Sequence, residues 1–137
     1  MKNLSQHKEK VNARELLVQA LTDFSRGKQR LAQLSPTGDK VAFVRDNNIY
    51  VSVLASGEET TVTTDGQFNH IINGATDWVY EEEFGDDQAL FWSGDGRRLA
   101  YLKFDESAVR EFHMPVYGSL YPDPYTFKYP KAGEDNS

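Results

Sequence analysis

Apolar and polar positions along the chain alternate in short bursts that end in turn residues, and one such burst occurs twice. Leu34-Ser35-Pro36-Thr37-Gly38-Asp39-Lys40-Val41-Ala42-Phe43-Val44 returns as Trp92-Ser93-Gly94-Asp95-Gly96-Arg97-Arg98-Leu99-Ala100-Tyr101-Leu102. Each copy joins a strand end to a tight glycine-containing turn, polar residues and a run of apolar β-formers, which is the signature of a β-hairpin. In the first unit the pattern predicts strands near 30–34, 40–45, 48–54 and 59–63, with turns at Asp46-Asn47-Asn48 and at Ala55-Ser56-Gly57-Glu58-Glu59. In the second it predicts strands near 88–92, 98–104, 109–116 and 124–129, with Pro115, Pro122, Pro124 and Pro130 capping strands and stiffening the last loop.

Four short antiparallel strands make one propeller blade. The two copies lie 58 residues apart, beyond the ~40–50 residues usual for a blade, and the excess falls in an acidic stretch between them. The expected fold is therefore all-β: two antiparallel β-propeller blades of an incomplete propeller, with a short helical acidic insert. The expected boundaries are a first blade at about 28–64, the insert at about 65–87 and a second blade at about 88–130, within a unit spanning 28–137. Residues 1–27 form a separate N-terminal stretch. There Leu16, Leu17, Ala20, Leu21 and Phe24 fall at helical spacing, with Asn12 and Glu15 placed as a capping box and Gly27 as a stop. The alternative for 15–22 is the outer strand of a preceding blade; the helix is favoured because a strand there would lack its partners. Two blades cannot close a ring that needs at least four. Unpaired edges and an apolar blade face should then invite self-association or pairing with further blades.

Charge narrows the partners. At 137 residues the chain is long enough to bury a core, and its formal charge of −6 is unevenly spread. Residues 1–34 carry seven bases and three acids, whereas 35–137 carry eight bases and eighteen acids. An acidic body disfavours nucleic acid and anionic lipid and favours cationic ligands. With no cysteine, disulfides and thiolate metal sites are excluded. No apolar run reaches the ~18 residues of a membrane span, and the first ten residues lack the apolar core of a secretory signal.

The densest chemistry lies in Asn73-Gly74-Ala75-Thr76-Asp77-Trp78-Val79-Tyr80-Glu81-Glu82-Glu83-Phe84. Asp77, Glu81, Glu82, Glu83, Asp86 and Asp87 place six acids in eleven residues with no Lys or Arg among them. Close like charges repel by about 1 kcal/mol per pair even in water. Such a run is either solvated or set against a cation, and the residues alone leave open a solvated turn, a metal site or an organic-cation site. A metal site built from Glu81, Glu82, Asp86 and Asp87 lacks a regular calcium-loop pattern, and His7, His70 and His113 are scattered without paired-ligand spacing. His113, between Phe112 and Met114, reads as a strand residue.

Asp77-Trp78-Val79-Tyr80-Glu81-Glu82-Glu83 resembles the double-glutamate segment of the dipeptidyl peptidase IV family, serine exopeptidases with a β-propeller in front of an α/β-hydrolase domain. Asn73-Gly74, Phe91-Trp92-Ser93, Leu99-Ala100-Tyr101 and Tyr129-Pro130-Lys131-Ala132-Gly133 match that family in the same order, so the likeness covers about 28–133. It implies that the substrate is a peptide N-terminus of the Xaa-Pro type and that Glu82 and Glu83 accept its α-ammonium. Charge-assisted hydrogen bonds of that kind exceed neutral ones in strength. Trp78 and Tyr80 would seat the short helix on the blade, with Glu81 beside them solvated or paired within its own turn. Because helix neighbours point about 100° apart, Glu82 and Glu83 would converge only where the helix ends or bends, and Phe84-Gly85 offers that stop. The family orients the pair with an arginine upstream of this segment, and Arg26, Arg30 and Arg45 are not assigned that role. No serine lies in a Gly-x-Ser-x-Gly elbow, so no catalytic residue is assigned, no cofactor is implied, and the chain alone should hydrolyse nothing. The missing blades and hydrolase domain are expected partners, and the family is normally exported. The reading from another class is a stand-alone binding or assembly module built from propeller blades.

Overall fold

The computed structural model describes residues 24–137; both readings of 11–27 fall almost wholly outside the described residues, of which Phe24–Arg26 form a single 3-10 turn. The first unit is one four-stranded antiparallel sheet in chain order, β1 (Arg30–Leu34), β2 (Lys40–Arg45), β3 (Asn48–Val53) and β4 (Glu59–Thr61). The β2–β3 hairpin closes on the Arg45↔Asn48 pair, with Asp46 and Asn47 both at positive φ (49° and 58°). That is the two-residue turn whose twist matches its strands, and Asp and Asn tolerate it better than branched residues do.

The repeated turns have repeated bonding. Ser35 and Ser93 each donate a backbone N–H to the carbonyl five residues on (2.8 Å to Lys40, 2.9 Å to Arg98). Each also accepts, on its hydroxyl, the returning backbone N–H of Lys40 or Arg98 at 3.1 and 2.9 Å. The two turns abut: a β-carbon on Gly96, which sits at φ +65°, would lie 2.6 Å from Thr37 Oγ1.

The second unit is built differently. Three two-stranded ribbons replace a single sheet: β5 (Ile71–Asn73) with β8 (Lys103–Asp105), β6 (Leu90–Trp92) with β7 (Leu99–Tyr101), and β9 (Glu111–Val116) with β10 (Asp123–Lys128). The single strand expected over 98–104 is split at Leu102. Its N–H goes to Ala89 (2.9 Å) and its carbonyl accepts from Gly74 (3.0 Å), handing the ladder from one ribbon to the next. The stretch 65–87 holds the short helix and, in addition, β5, which the apolar pair Ile71-Ile72 did not announce.

The core lies between the first sheet and the β6–β7 ribbon, where Ala42, Val44, Ile49 and Leu90 are buried with Trp92 and Leu99 against them. A second cluster of Ile72, Ala75, Ala89 and Phe104 continues it beneath the helix. Among the described residues no helix is long and apolar enough to cross a membrane.

Candidate functional site

The acidic run folds into α1 (Trp78–Phe84), seven residues fixed at both ends. Asp77 caps the start: it is 2% exposed and accepts the Tyr80 N–H at 3.0 Å. The other oxygen of Asp77 accepts from Asn136 Nδ2 at 2.7 Å and from the Ser137 hydroxyl. Gly85, at φ +66°, ends the helix, its own N–H directed to the Tyr80 carbonyl, which also accepts from Asp86 at 3.0 Å. Below the helix, the Thr76 hydroxyl donates to the Asp86 carbonyl at 2.7 Å, which ties the two ends of the acidic loop together.

Aromatic contacts set the helix's rotation. Trp78 packs edge-on against Tyr129 at 4.5 Å between ring centroids, and Tyr80 packs on Phe84 and on Phe104 of β8 at 5.4 Å each. Residues three and four apart share a helix face. Trp78, Glu81 and Glu82 therefore look one way, and Tyr80, Glu83 and Phe84 another.

A cleft of about 510 Å³ opens on the first of these faces, walled by Trp78, Glu81 and Glu82 from α1 and by Glu106, Tyr125, Phe127 and Lys128 from the third ribbon and its approach. All three glutamates of the triplet are exposed. Glu81 and Glu82 line this cleft, while Glu83 does not; it stands one helix step round from Glu82. Arg30 of β1 lies on the same cleft, and Arg45 is committed elsewhere, paired with Glu59 at 2.6 Å and stacked over Tyr50. Asp86 and Asp87 lie past the helix end, and among the described residues no group of three His, Cys, Asp or Glu side chains could hold a metal ion. His113 sits on β9, its Nδ1 2.7 Å from the Thr126 hydroxyl of the opposing strand.

Glu106 is the residue that sequence reasoning passed over. It follows β8, is 7% exposed, and its side chain accepts no hydrogen bond among the described residues. Its pKa is pushed up to about 7, first by loss of hydration, then by the negative charge of Asp77, with Lys128 opposing. Lys128 is itself buried and donates to the Val109 carbonyl at 2.7 Å. The available signal was alternation: Phe104 and Glu106 are two apart on an extended segment, so a buried Phe104 carries Glu106 inward with it.

Exposed carboxylates beside aromatic walls, with a further acid behind them, are chemically able to accept hydrogen bonds from a cation of limited size. The dipeptidyl peptidase IV N-terminal region family matches residues 4–137. The probable dipeptidyl-aminopeptidase B of Talaromyces stipitatus is 43% identical over 127 residues, covering 83% of this chain and 14% of that protein. The dipeptidyl aminopeptidase B of Saccharomyces cerevisiae is 46% identical over 112 residues, covering 77% of this chain and 14% of its own length. Among solved structures, dipeptidyl peptidase 4 of Porphyromonas gingivalis superposes with a TM-score of 0.77 at 56% identity, over 80% of this chain and 16% of that one. The chain thus spans about one seventh of the length of these relatives.

Proposed function

The chain belongs to the dipeptidyl peptidase IV N-terminal region family, and from that membership we propose that it supplies the amine-recognition wall of a dipeptidyl aminopeptidase acting on Xaa-Pro N-termini. Glu82 and Glu83 hold the substrate's α-ammonium, Glu82 from the cleft face of α1 and Glu83 from the adjoining solvent face. Trp78 and Tyr80 fix the helix that carries them, and Glu81 adds negative charge at the cleft mouth. An ammonium held here sets the distance to the second peptide bond, whose hydrolysis belongs to a hydrolase domain joined through further blades. The chain performs no bond chemistry itself, and the protein that carries it is exported.

One observation supports this reading above others: Glu82 lines a cleft that also has aromatic walls, the pairing a protonated N-terminus with an apolar first side chain requires. An NMR titration with Gly-Pro and with N-acetyl-Gly-Pro tests it. Free-amine peptide should bind at about millimolar affinity, and acetylation, or Glu82→Gln with Glu83→Gln, should remove the preference. Equal shifts for both peptides would sink the reading.

A second reading, a module that assembles with other copies, is favoured by the third ribbon. Its tip exposes Tyr117, Leu120 and Tyr121 at 80%, 91% and 80%, more apolar surface than a solvated hairpin tip requires, and among the described residues β1 and β4 are unpaired edges. Sedimentation velocity should then show an oligomer that Tyr117→Ser with Leu120→Ser dissociates and that the glutamate double variant leaves intact.

A further inference from the structure

The cleft holds one acid that the glutamate pair does not explain. Glu106 is 7% exposed and lines the same cleft as Glu82, and among the described residues only the charges of Asp77 and Lys128, not a hydrogen bond, act on its carboxyl. The residue is largely withdrawn from water, yet its carboxyl opens on the cleft. The lost hydration is offset if a donor enters there.

We propose that Glu106 is a third acidic contact for the ammonium received in this cleft, and that its proton passes to solvent as the cation enters. The inference rests on the amine-binding reading above and extends it: capture of the N-terminus becomes linked to pH through one inward-facing carboxyl.

The charged groups around Glu106 decide the direction. Asp77, at the start of α1, and Glu81 and Glu82, on the cleft wall of α1, disfavour a further negative charge there. Lys128 on β10 and Arg30 on β1 favour it, although Lys128 already donates to the Val109 carbonyl and lies 3.9 Å from Glu111. In the empty cleft the acids and the lost hydration prevail, and the carboxyl keeps its proton to about pH 7. An incoming ammonium reverses the balance by supplying a positive charge and a donor at once. The step is balanced: the neutral carboxyl becomes a carboxylate, one proton leaves to water, and the ammonium remains charged.

Binding must then tighten as pH rises toward 7, until the amine itself begins to lose its proton near pH 8. The test measures the affinity of the full chain for Gly-Pro by NMR at pH 5.5 and 7.0, with N-acetyl-Gly-Pro as control. Wild type should tighten about five- to tenfold over that interval, Glu106→Gln should be flat, and Glu106→Asp should restore a slope. The ¹³C titration of the Glu106 carboxyl in wild type gives a second readout that needs no variant: its midpoint should fall when Gly-Pro saturates the cleft. A slope retained by Glu106→Gln, a wild type whose amine-selective binding ignores pH, or an unmoved carboxyl midpoint would overturn the role of Glu106 and leave amine capture standing. Equal binding of the acetylated peptide would overturn both.

Discussion

Two regions of this chain each draw a glutamate largely out of water, and they treat it in opposite ways. In the first sheet, Glu59 lies within 2.6 and 3.2 Å of two guanidinium nitrogens of Arg45, which is itself 6% exposed and stacked over Tyr50 at 4.0 Å. These bonds hold the Glu59 carboxyl below its ordinary range, and Arg26 adds to the effect. Beside α1, Glu106 is more deeply buried, with no donor among the described residues and with Asp77 as a like-charged neighbour, so it moves up instead. The first is an acid whose partner came with the fold. The second is an acid whose surroundings are incomplete. A burial pattern cannot separate a structural carboxylate from one that waits for a ligand; the hydrogen-bond count can.

The largest effect should come from breaking the completed pair. Glu59→Gln leaves Arg45 buried without its counter-charge, and removing one partner of such a pair costs about 4 kcal/mol, read as a fall in urea midpoint at pH 7. The sign with pH follows from the lowered carboxyl. Its stabilisation is present above about pH 4.5, the unfolded value, and is lost as pH falls through the lower folded one. The variant should therefore close much of its gap to wild type in acid. A gap that stays constant down to the acid transition would mean that the pair is not what the sheet relies on.

Glu106→Gln should do the reverse. A carboxyl raised from 4.5 to about 7 contributes stability that is complete below pH 4.5 and is lost as pH rises through 7. A tenfold change in proton affinity corresponds to about 1.4 kcal/mol, so at pH 8 the variant should exceed wild type by about 3 kcal/mol, and near pH 4 the two should coincide. Denaturation at the two pH values checks this. A variant less stable than wild type at pH 8 would mean that Glu106 has a donor after all, and the contrast with Glu59 would collapse.

The same contrast explains what could be read from the sequence. The repeated turns were legible because their bonding is local: Ser35 and Ser93 each close their own hairpin within five residues. The acidic helix was legible for the same reason, with Asp77 and Gly85 capping it from its own ends. β5 was not, since Ile71–Asn73 carry no alternation and are extended only because Phe104 and Lys103 pair with them from afar. Nor was the break at Leu102, where an unbroken apolar run is divided by the hand-over between Ala89 and Gly74. The resemblance of Asp77-Trp78-Val79-Tyr80-Glu81-Glu82-Glu83 to the family's double-glutamate segment implied Glu82 and Glu83 as a pair; composition alone did not. Which face each takes depends on Trp78 meeting Tyr129 and Tyr80 meeting Phe104, contacts that no local pattern encodes. For Glu106 the alternation from Phe104 offered its inward direction, but not the charges of Asp77 and Lys128 that it meets there, which come from the start of α1 and from β10.

Two glycines with nearly equal backbone angles sharpen the distinction between tertiary and local control. Gly74 and Gly85 sit at φ +76° and +66°, where a β-carbon adds about 1 kcal/mol of strain. At Gly74 that carbon would also lie 2.8 Å from Ile49 Cγ1 and 3.2 Å from Val44 Cγ2, in the core between the first sheet and the second unit, and overpacking adds to the strain. Gly74→Ala should cost about 2 kcal/mol or more and lower the whole unfolding transition.

Gly85→Ala meets nothing within 4 Å, so its cost should stay near the about 1 kcal/mol of strain alone. That small cost falls on the end of α1, where the N–H groups of Gly85 and Asp86 converge on the Tyr80 carbonyl. The last turn carries Glu82 and Glu83, so fraying there should loosen the pair before it unfolds anything else. Amide hydrogen exchange should rise from 83 to 86 while the first sheet stays protected, and Gly-Pro affinity should weaken about threefold or more with the global transition moved little. A loss of affinity without faster exchange would place the defect in side-chain geometry. Faster exchange without a loss of affinity would mean that Glu82, already on the cleft wall with Trp78, holds the amine without its neighbour.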